Sequence, residues 1–237
     1  MSSTSEVRDD RPRSVGVRCR GLSKAYRHRP VLSDMALSAE PGEVVAVTGA
    51  SGSGKSTLLL ILAGLLAPES GEITIDGTDI WGLGEDERTS FRLAHIGLVF
   101  QFGQLVGELT TLDNVRLPLL LSGRDRGSAT ATAHGLLEEL GIEEVAGHYP
   151  HQLSGGQEQR TAIARALALD PVVVLADEPT GALDTAASRA VLGLLLEAAR
   201  ARDATVVIAT HDDRIADSAD RRLHLSDGRL VTGGRTR

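Results

Sequence analysis

The chain has 237 residues, a formal net charge of −7 and a hydrophobic fraction of 41%. This length and composition are enough for one globular domain with a sizeable core. The acidic balance argues against a nucleic-acid-binding protein, because such proteins more often carry a dense basic patch. A single cysteine, Cys19, excludes an internal disulfide framework.

Neither end of the chain has the pattern of a membrane or export segment. The longest apolar run, Leu58–Ala67, is shorter than the roughly 20 residues that span a bilayer. Met1–Asp10 has no apolar core and is not a signal peptide. We expect disordered tails at residues 1–14 and 232–237. The protein is expected to stay in the cytoplasm and to reach a membrane only through a partner.

A complete phosphate-binding motif follows the first strongly apolar run. Val44–Thr48 is predicted to be a buried strand, and Gly49–Ser56 matches G-x-x-x-x-G-K-[ST] at every fixed position. The apolar stretch after it predicts a helix ending near Gly64. The alternative, a glycine-rich turn without a ligand, is disfavoured by these flanks. The predicted phosphate-binding residues are Gly49, Ala50, Ser51, Gly52, Ser53, Gly54, Lys55, Ser56 and Thr57.

Lys55 is expected to bridge the β- and γ-phosphates of a nucleoside triphosphate, and the Ser56 hydroxyl is expected to bind Mg²⁺. Val172–Ala176 predicts a second buried strand, and it is followed by two adjacent acids. At the carboxyl end of a parallel strand, Asp177 is placed to hold Mg²⁺ and Glu178 to act as the general base for water. Adjacent acids in an ordinary surface loop are the alternative.

A third strand is predicted at Thr205–Thr210, and His211 ends it. We expect His211 to contact the γ-phosphate and the attacking water. The other histidines are interpreted as ordinary polar residues, and the sequence has no Cys/His cluster with metal-ligand spacing. These are His28, His95, His134, His148, His151 and His224.

A second glycine-rich helix start lies well downstream of the phosphate-binding motif. Ser154 and Gln157 have the spacing of a capping box, and Gly155 and Gly156 leave the first amides of the helix uncovered. Such a helix start can bind an anion. A capped helix without a ligand is the alternative.

These motifs together resemble the ATP-binding subunit of an ABC (ATP-binding cassette) transporter, over about residues 15–231. By this resemblance Leu153–Gln157 is the ABC signature, in which Ser154, Gly155, Gly156 and Gln157 meet the γ-phosphate bound by another subunit. The resemblance also implies that Gln101 links Mg²⁺ to the membrane partner and that Tyr26 stacks on adenine. Residues 181–184 match the D-loop. Tyr26 alone is a weak signal, since it also fits a core or surface aromatic.

The fold implied is an α/β P-loop ATPase with a RecA-like parallel-sheet core, an N-terminal antiparallel β subdomain and an inserted helical subdomain. The core would comprise residues 15–101 and 166–231, and the helical subdomain residues 102–165. Apolar residues between 105 and 121 are interpreted mainly as its core. Leu105 and Val106 are alternatively expected to line a groove for a helix of a permease.

The mechanism implied is a homodimer with two ATP molecules sandwiched between the subunits, with Mg²⁺ at each site, driving a transmembrane permease from the cytoplasmic face. Leu175–Gly181 is most similar to the branch of macrolide exporters, lipoprotein-release systems and the FtsE–FtsX complex. Asp113, Glu158 and Ala182 depart from common residues of that branch. The expected function is to drive an exporter or extrusion system. The alternative is the ATPase of a signalling complex, in which a permease-like membrane partner transmits force without moving a substrate.

Rival classes within the superfamily are less consistent with the sequence. A translation-factor ATPase normally carries two cassettes in one chain, whereas this chain has one. A chromosome-maintenance ATPase has a long coiled coil between the phosphate loop and the signature, and the stretch from Lys55 to Ser154 is too short for it.

Overall fold

The computed structural model describes residues 16–27, 29–101 and 103–232. The tails predicted at 1–14 and 232–237 lie outside the described residues, apart from Thr232 at the end of the last strand. His28, one of the histidines interpreted as ordinary, also lies outside them. No helix within the described ranges is long and apolar enough to cross a bilayer.

The strands of the described ranges fall into two sheets. In chain order they are β1 (Val17–Tyr26), β2 (Arg29–Ala39), β3 (Val44–Thr48), β4 (Ser70–Ile75), β5 (Thr78–Asp79), β6 (Ile96–Val99), β7 (Val173–Asp177), β8 (Thr205–Thr210), β9 (Arg221–Ser226) and β10 (Arg229–Thr232). The larger sheet has the order β10-β9-β3-β8-β7-β6, and its pairs are parallel except for β10 with β9. The smaller sheet, β2-β1-β4-β5, is antiparallel.

Helices connect the strands of the larger sheet. They are α1 (Lys55–Leu62), α2 (Glu85–His95), α3 (Thr111–Leu121), α4 (Arg126–Glu139), α5 (Gly155–Leu167), α6 (Thr185–Arg200) and α7 (Asp213–Ala216). The α/β fold class, with a parallel core and an N-terminal antiparallel sheet, is confirmed. The hairpin predicted after residue 72 is also present, and its turn residues Asp76 and Gly77 both have positive φ, 47° and 78°.

The larger sheet separates two hydrophobic cores. Every residue of β3 is buried, and successive side chains point to opposite faces of the sheet. Val44 and Ala46 pack with the helices α3 to α6, whereas Val45 and Val47 pack with α1 and the antiparallel sheet. Because strands buried on both faces are continuously apolar, these runs were recognisable in the sequence.

The stretch that follows β6 differs from the prediction. Residues 102–165 were expected to be helical, but residues 103–110 form no helix. The fully buried Asn114 of α3 explains the difference, because its side chain replaces helical backbone bonds there. It accepts from the amide of Val106 at 2.8 Å and donates to the carbonyls of Val106 and Leu109 at 3.1 and 3.2 Å.

Arg202 joins the helical region to the core. Its guanidinium makes two 2.8 Å bonds to Glu139, at the end of α4, and one 3.1 Å bond to Asp170. The hydrogen bond from Arg202 holds the pKa of Glu139 below its usual value of 4.5. A depressed carboxylate pKa stabilises the fold above the unfolded-state value, and that stabilisation is lost as the pH falls through the folded-state value.

We therefore expect Arg202→Ala to lower the free energy of unfolding by about 1 kcal/mol at neutral pH, a modest value because Glu139 is partly exposed. The difference from wild type should shrink below about pH 4.5, as Glu139 becomes protonated. Urea unfolding of both proteins between pH 3.5 and 7 measures this difference in the free energy of unfolding. Arg200→Ala is the control, because Arg200 and Asp220 form an exposed pair at 3.6 Å. An equal, pH-independent loss in both variants would contradict the assignment.

Candidate functional site

The phosphate loop (residues 49–56) connects the end of β3 to the start of α1. Gly54 precedes the helix with φ 106°, and a Cβ there would lie 2.9 Å from a Leu32 methyl carbon and 3.0 Å from the Val31 carbonyl oxygen. Only glycine fits this backbone. Gly54 provides no side-chain cap, so the first amides of α1 stay available to an anion.

Two carbonyl groups of the phosphate loop hold the side chain of Lys55. Its Nζ donates to the carbonyl oxygens of Gly49 and Ala50 at 2.8 and 3.1 Å, and its side chain is buried. The ammonium group is thus fixed next to amides that point into the same space. A buried cation beside a helix N-terminus favours a multiply charged anion such as a phosphate chain.

A cavity of about 690 Å³, the nucleotide cavity, opens above this loop. It collects predicted residues from five separate parts of the chain. Its lining comprises Tyr26, Val31, Ser51, Gly52, Gly54, Lys55, Ser56, Thr57, Gln101, Asp177, Glu178 and His211. Gly49, Ala50 and Ser53 belong to the same loop without lining the cavity. Val31 was not predicted, because an isolated valine in a strand carries no functional signal.

Asp177 ends β7 beside the phosphate loop. Its Oδ1 is buried and has no hydrogen-bond partner. Burial raises the pKa of Asp177 above its usual range and the charge of Glu178 raises it too, whereas a hydrogen bond with Ser56 and the charge of Lys55 lower it. Among the described residues there is no group of three or more His, Cys, Asp or Glu that could hold a metal. A cation here would therefore depend on hydroxyl, phosphate or water oxygens as well.

The carboxylate of Glu178 is held by two neighbours at the end of β8. Thr210 donates to its Oε2 at 3.2 Å, and Nδ1 of His211 lies 2.7 Å from its Oε1. The backbone of Glu178 is left-handed, with φ 45°, and its amide donates to the carbonyl of Ala209 at 2.9 Å. Glu178 is mostly buried while His211 is exposed. Thr210 was missed as a site residue because it lies inside a predicted strand.

Gln101 follows β6 and contacts the segment after Glu178. A Cβ on Gly181 would lie 2.9 Å from the Gln101 side-chain nitrogen, so Gly181 leaves room for the amide. Tyr26 also lines the cavity, and it is 47% exposed, so its ring can stack on a planar group. Lys24 lies 5.8 Å above that ring and donates to the Ala67 carbonyl at 2.8 Å.

The capping box predicted at the start of α5 is confirmed. Ser154 Oγ accepts from the amide of Gln157 at 3.3 Å, and the Gln157 side chain accepts from the Ser154 amide at 3.0 Å. Ser154, Gly155, Gly156 and Gln157 line a second cavity of about 510 Å³, the signature cavity, together with residues 182–184. No lining residue is common to the signature cavity and the nucleotide cavity.

Comparison with known proteins explains why these motifs occur together. The family model described as "ABC transporter" matches residues 32–181, which is more than half of the chain. The chain belongs to the ABC transporter family. Its α/β architecture is accordingly the ABC ATPase fold, and as a member of this family it is an ATPase that binds ATP.

Relatives of the ABC family cover almost the whole chain. The ABC transporter ATP-binding protein YtrE of Bacillus subtilis is 47% identical over 86% of this chain and 88% of its own length. The lipoprotein-releasing system ATP-binding protein LolD of Porphyromonas gingivalis is 41% identical over 91% and 99%. The macrolide export ATP-binding/permease protein MacB 1/2 of Paracoccus denitrificans is 46% identical over 93% of this chain and 33% of its own length.

Among solved structures, the ATP-binding cassette MJ0796 in a dimeric post-hydrolysis state with ADP and Pi has a TM-score of 0.86. It is 38% identical to this chain and the match covers 93% of this chain and 99% of MJ0796. The resemblance to the branch of lipoprotein-release systems and macrolide exporters is confirmed by these names.

Proposed function

We propose that this chain is the ATP-hydrolysing subunit of an ABC exporter or extrusion system, working as a homodimer with ATP at the subunit interface. One observation carries the proposal: the nucleotide cavity and the signature cavity lie on the same chain but share no lining residue. Two copies related by a two-fold axis would place each signature over the other copy's ATP. Two dimeric structures of MJ0796, one of them bound to ADP and Pi, support this arrangement.

The signature glycines support a close approach by another molecule. A Cβ on Gly156 would meet nothing within 4 Å, so the chain's own packing does not require glycine there. A side chain would, however, cover the free amides of the α5 N-terminus that an anion needs. We propose that these amides and Ser154 bind the γ-phosphate held by the other copy. In this proposal residues 102–165 form the helical subdomain that carries the signature.

The site also fits Mg²⁺. The unpartnered, buried Oδ1 of Asp177 is an oxygen donor, and Ser56 and Gln101 line the same cavity. Hard oxygen ligands and phosphates are what Mg²⁺ prefers. When bound, Mg²⁺ would neutralise charge on the phosphate oxygens.

Glu178 is the proposed general base. It lines the nucleotide cavity, and Thr210 and His211 fix its carboxylate from two directions. A fixed carboxylate can orient a water molecule in line with the γ-phosphate and accept its proton. Hydrolysis then removes the anion that both copies bind. The nucleotide that remains no longer binds the closed dimer in preference to the open one, so the dimer opens. This opening is the step that would drive a partner.

Gly156→Asp tests the shared interface. An added carboxylate should repel the γ-phosphate and abolish ATP-dependent dimerisation, while ATP still binds to the chain's own phosphate loop. Gly135→Asp is the matched control, because Gly135 is also a helical glycine with open space around it, on α4. Analytical ultracentrifugation with ATP measures dimerisation, and a fluorescent ATP analogue measures binding. Dimerisation of Gly156→Asp at the control's level would contradict the proposal.

The proposed membrane partner is a permease, and the chain would act from the cytoplasmic face of the membrane. The names of the relatives support this, since LolD is part of a lipoprotein-releasing system and MacB 1/2 is an ATP-binding/permease protein. An apolar groove of about 520 Å³ provides a surface for it. The groove is lined by Thr89, Arg92, Leu93, Ile96, Leu98, Phe100, Leu117, Pro118, Leu121, Arg165, Ala166, Leu169 and Pro171.

The groove differs from the sequence prediction. Leu105 and Val106, expected to line it, are not among its lining residues. Two leucines of α3 provide its apolar wall instead, Leu117 and the 66% exposed Leu121. A short amphipathic helix of a permease fits such a surface, because its apolar face would cover the exposed leucines.

We expect Leu121→Asp to prevent co-purification of a membrane-spanning subunit with the tagged chain from detergent-solubilised native membranes. Leu120→Asp is the control: Leu120 is also an exposed leucine of α3 but does not line the groove. ATPase activity without a membrane fraction should be equal in the two variants, since both side chains lie outside the nucleotide cavity. Mass spectrometry measures how much of the membrane-spanning subunit co-purifies with each variant. Equal amounts with Leu121→Asp and Leu120→Asp would exclude the groove as the binding surface for the permease.

A further inference from the structure

Two side chains of α5 hold the backbone on both sides of Gln101. Gln159 donates from Nε2 to the carbonyl of Phe100 at 3.1 Å. Arg165 donates from Nη2 to the carbonyl of Gly103 at 2.9 Å and from Nη1 to that of Gln104 at 3.0 Å. Gln159 is 4% exposed, so its bond is shielded from water.

The segment that they hold has a left-handed backbone at two consecutive residues, one of which is not glycine. Gly103 and Gln104 have φ values of 65° and 48°, in the left-handed region. A Cβ on Gly103 would lie 3.1 Å from Glu158 of α5, so helix and segment are in close contact. A non-glycine residue such as Gln104 keeps this conformation when its surroundings impose it. The bonds from Arg165 are such a constraint.

The same helix begins at the signature. Gly155 is the first residue of α5, Gln159 lies in its second turn and Arg165 in its last full turn. An α-helix of this length moves as a rigid rod, because consecutive turns are hydrogen-bonded. A displacement of the signature therefore carries the carbonyls of residues 100, 103 and 104 with it.

We propose that Gln159 and Arg165 are positioning residues that fix Gln101 relative to the signature helix. Docking of the signature on the other copy's γ-phosphate and seating of Gln101 in the chain's own ATP site then occur together. This inference rests on the proposed role of Gln101 in the ATP site. Arg165 and Phe100 also line the apolar groove, so a partner bound there would contact the same connection.

A purely structural role would give a different result. Arg202 provides the comparison, because it likewise bonds several groups but none of the described residues Phe100, Gln101, Gly103 and Gln104. Arg165→Ala should lower kcat about 10- to 100-fold through misplacement of Gln101. The affinity of the isolated chain for ATP should change by less than about 3-fold, because Arg165 does not line the nucleotide cavity. Arg202→Ala should reduce stability and leave kcat unchanged.

Two further variants keep the test independent of folding. Arg165→Lys should recover part of the activity, since one ammonium group retains the charge but cannot match the two-pronged guanidinium contact. Gln159→Leu keeps the buried volume and removes only the bond to Phe100, so it should lower kcat with an unchanged melting temperature to within about 4 °C. Normal kcat in folded Arg165→Ala and Gln159→Leu would overturn the proposal.

A double-mutant cycle decides how Arg165 acts. If it acts through Gln101, then Arg165→Ala added to Gln101→Ala should lower kcat by no more than about 2-fold further. Multiplied losses would overturn the positioning role while leaving the proposed role of Gln101 intact. A normal kcat in Gln101→Ala alone would instead reject the role of Gln101 and the inference with it. The four proteins are compared at saturating Mg²⁺ and ATP.

Discussion

Glu178→Gln is expected to lower ATP turnover by about 10²- to 10⁴-fold while ATP binding is retained. The amide has the size of the carboxylate and can still accept the 3.2 Å hydrogen bond from Thr210, but it cannot take a proton from water. Since the γ-phosphate then persists, the closed dimer should accumulate. Size-exclusion chromatography with ATP and Mg²⁺ would show it as a species of twice the 25.0 kDa chain mass.

Glu197→Gln is the control for this experiment. Glu197 is an exposed glutamate of α6 outside the nucleotide cavity, so its substitution should leave turnover at the wild-type level and trap no dimer. A Glu178→Gln chain that binds ATP and still elutes as a monomer would refute the sandwich. A Glu178→Gln chain with wild-type turnover would show that another group activates water.

Mixing two inactive variants should restore activity. Lys55→Ala removes the cation that the loop carbonyls hold, and Ser154→Arg places a bulky side chain in the signature cavity. In a mixed dimer, one ATP site combines the defective loop with the defective signature. The other combines an intact loop with an intact signature, so steady-state phosphate release should rise well above that of either variant alone.

A second mixture is the negative control, because mixing its chains cannot create an intact ATP site. Lys55→Ala chains mixed with chains that carry both substitutions form no intact composite site in any dimer, so this mixture should stay inactive. Equal phosphate release from the two mixtures would show that each site is built from one chain. Circular dichroism establishes beforehand that each variant is folded.

The parallel core was predictable because its residues carry strong local signals. β3 and β8 have the bounds expected from their apolar runs, Val44–Thr48 and Thr205–Thr210. A strand buried on both faces must be apolar throughout, and a phosphate loop must join such a strand to a helix. The helix after the loop ends at Leu62, two residues before the predicted Gly64, within ordinary uncertainty at helix ends.

The region after Gln101 was less predictable because its structure depends on long-range contacts. Leu105, Leu119 and Leu121 look alike in the sequence, yet Leu119 is fully buried and Leu121 is exposed in the groove. Nothing in the sequence distinguishes Asn114, whose side chain shapes residues 106–110, from an ordinary asparagine on a helix surface. Likewise nothing local indicates that Thr210 would support Glu178. Glu178 directly follows β7 and Thr210 ends β8, and these two strands are adjacent only in the folded sheet.

The left-handed backbone of Glu178 has a consequence for how this enzyme can evolve. A non-glycine residue at φ 45° costs roughly 1 kcal/mol or more of conformational energy, and glycine would remove that cost. Glycine would also remove the carboxylate. Glu178 therefore lowers the stability of the fold but retains the carboxylate that the activity needs. A less stable fold tolerates fewer further destabilising mutations.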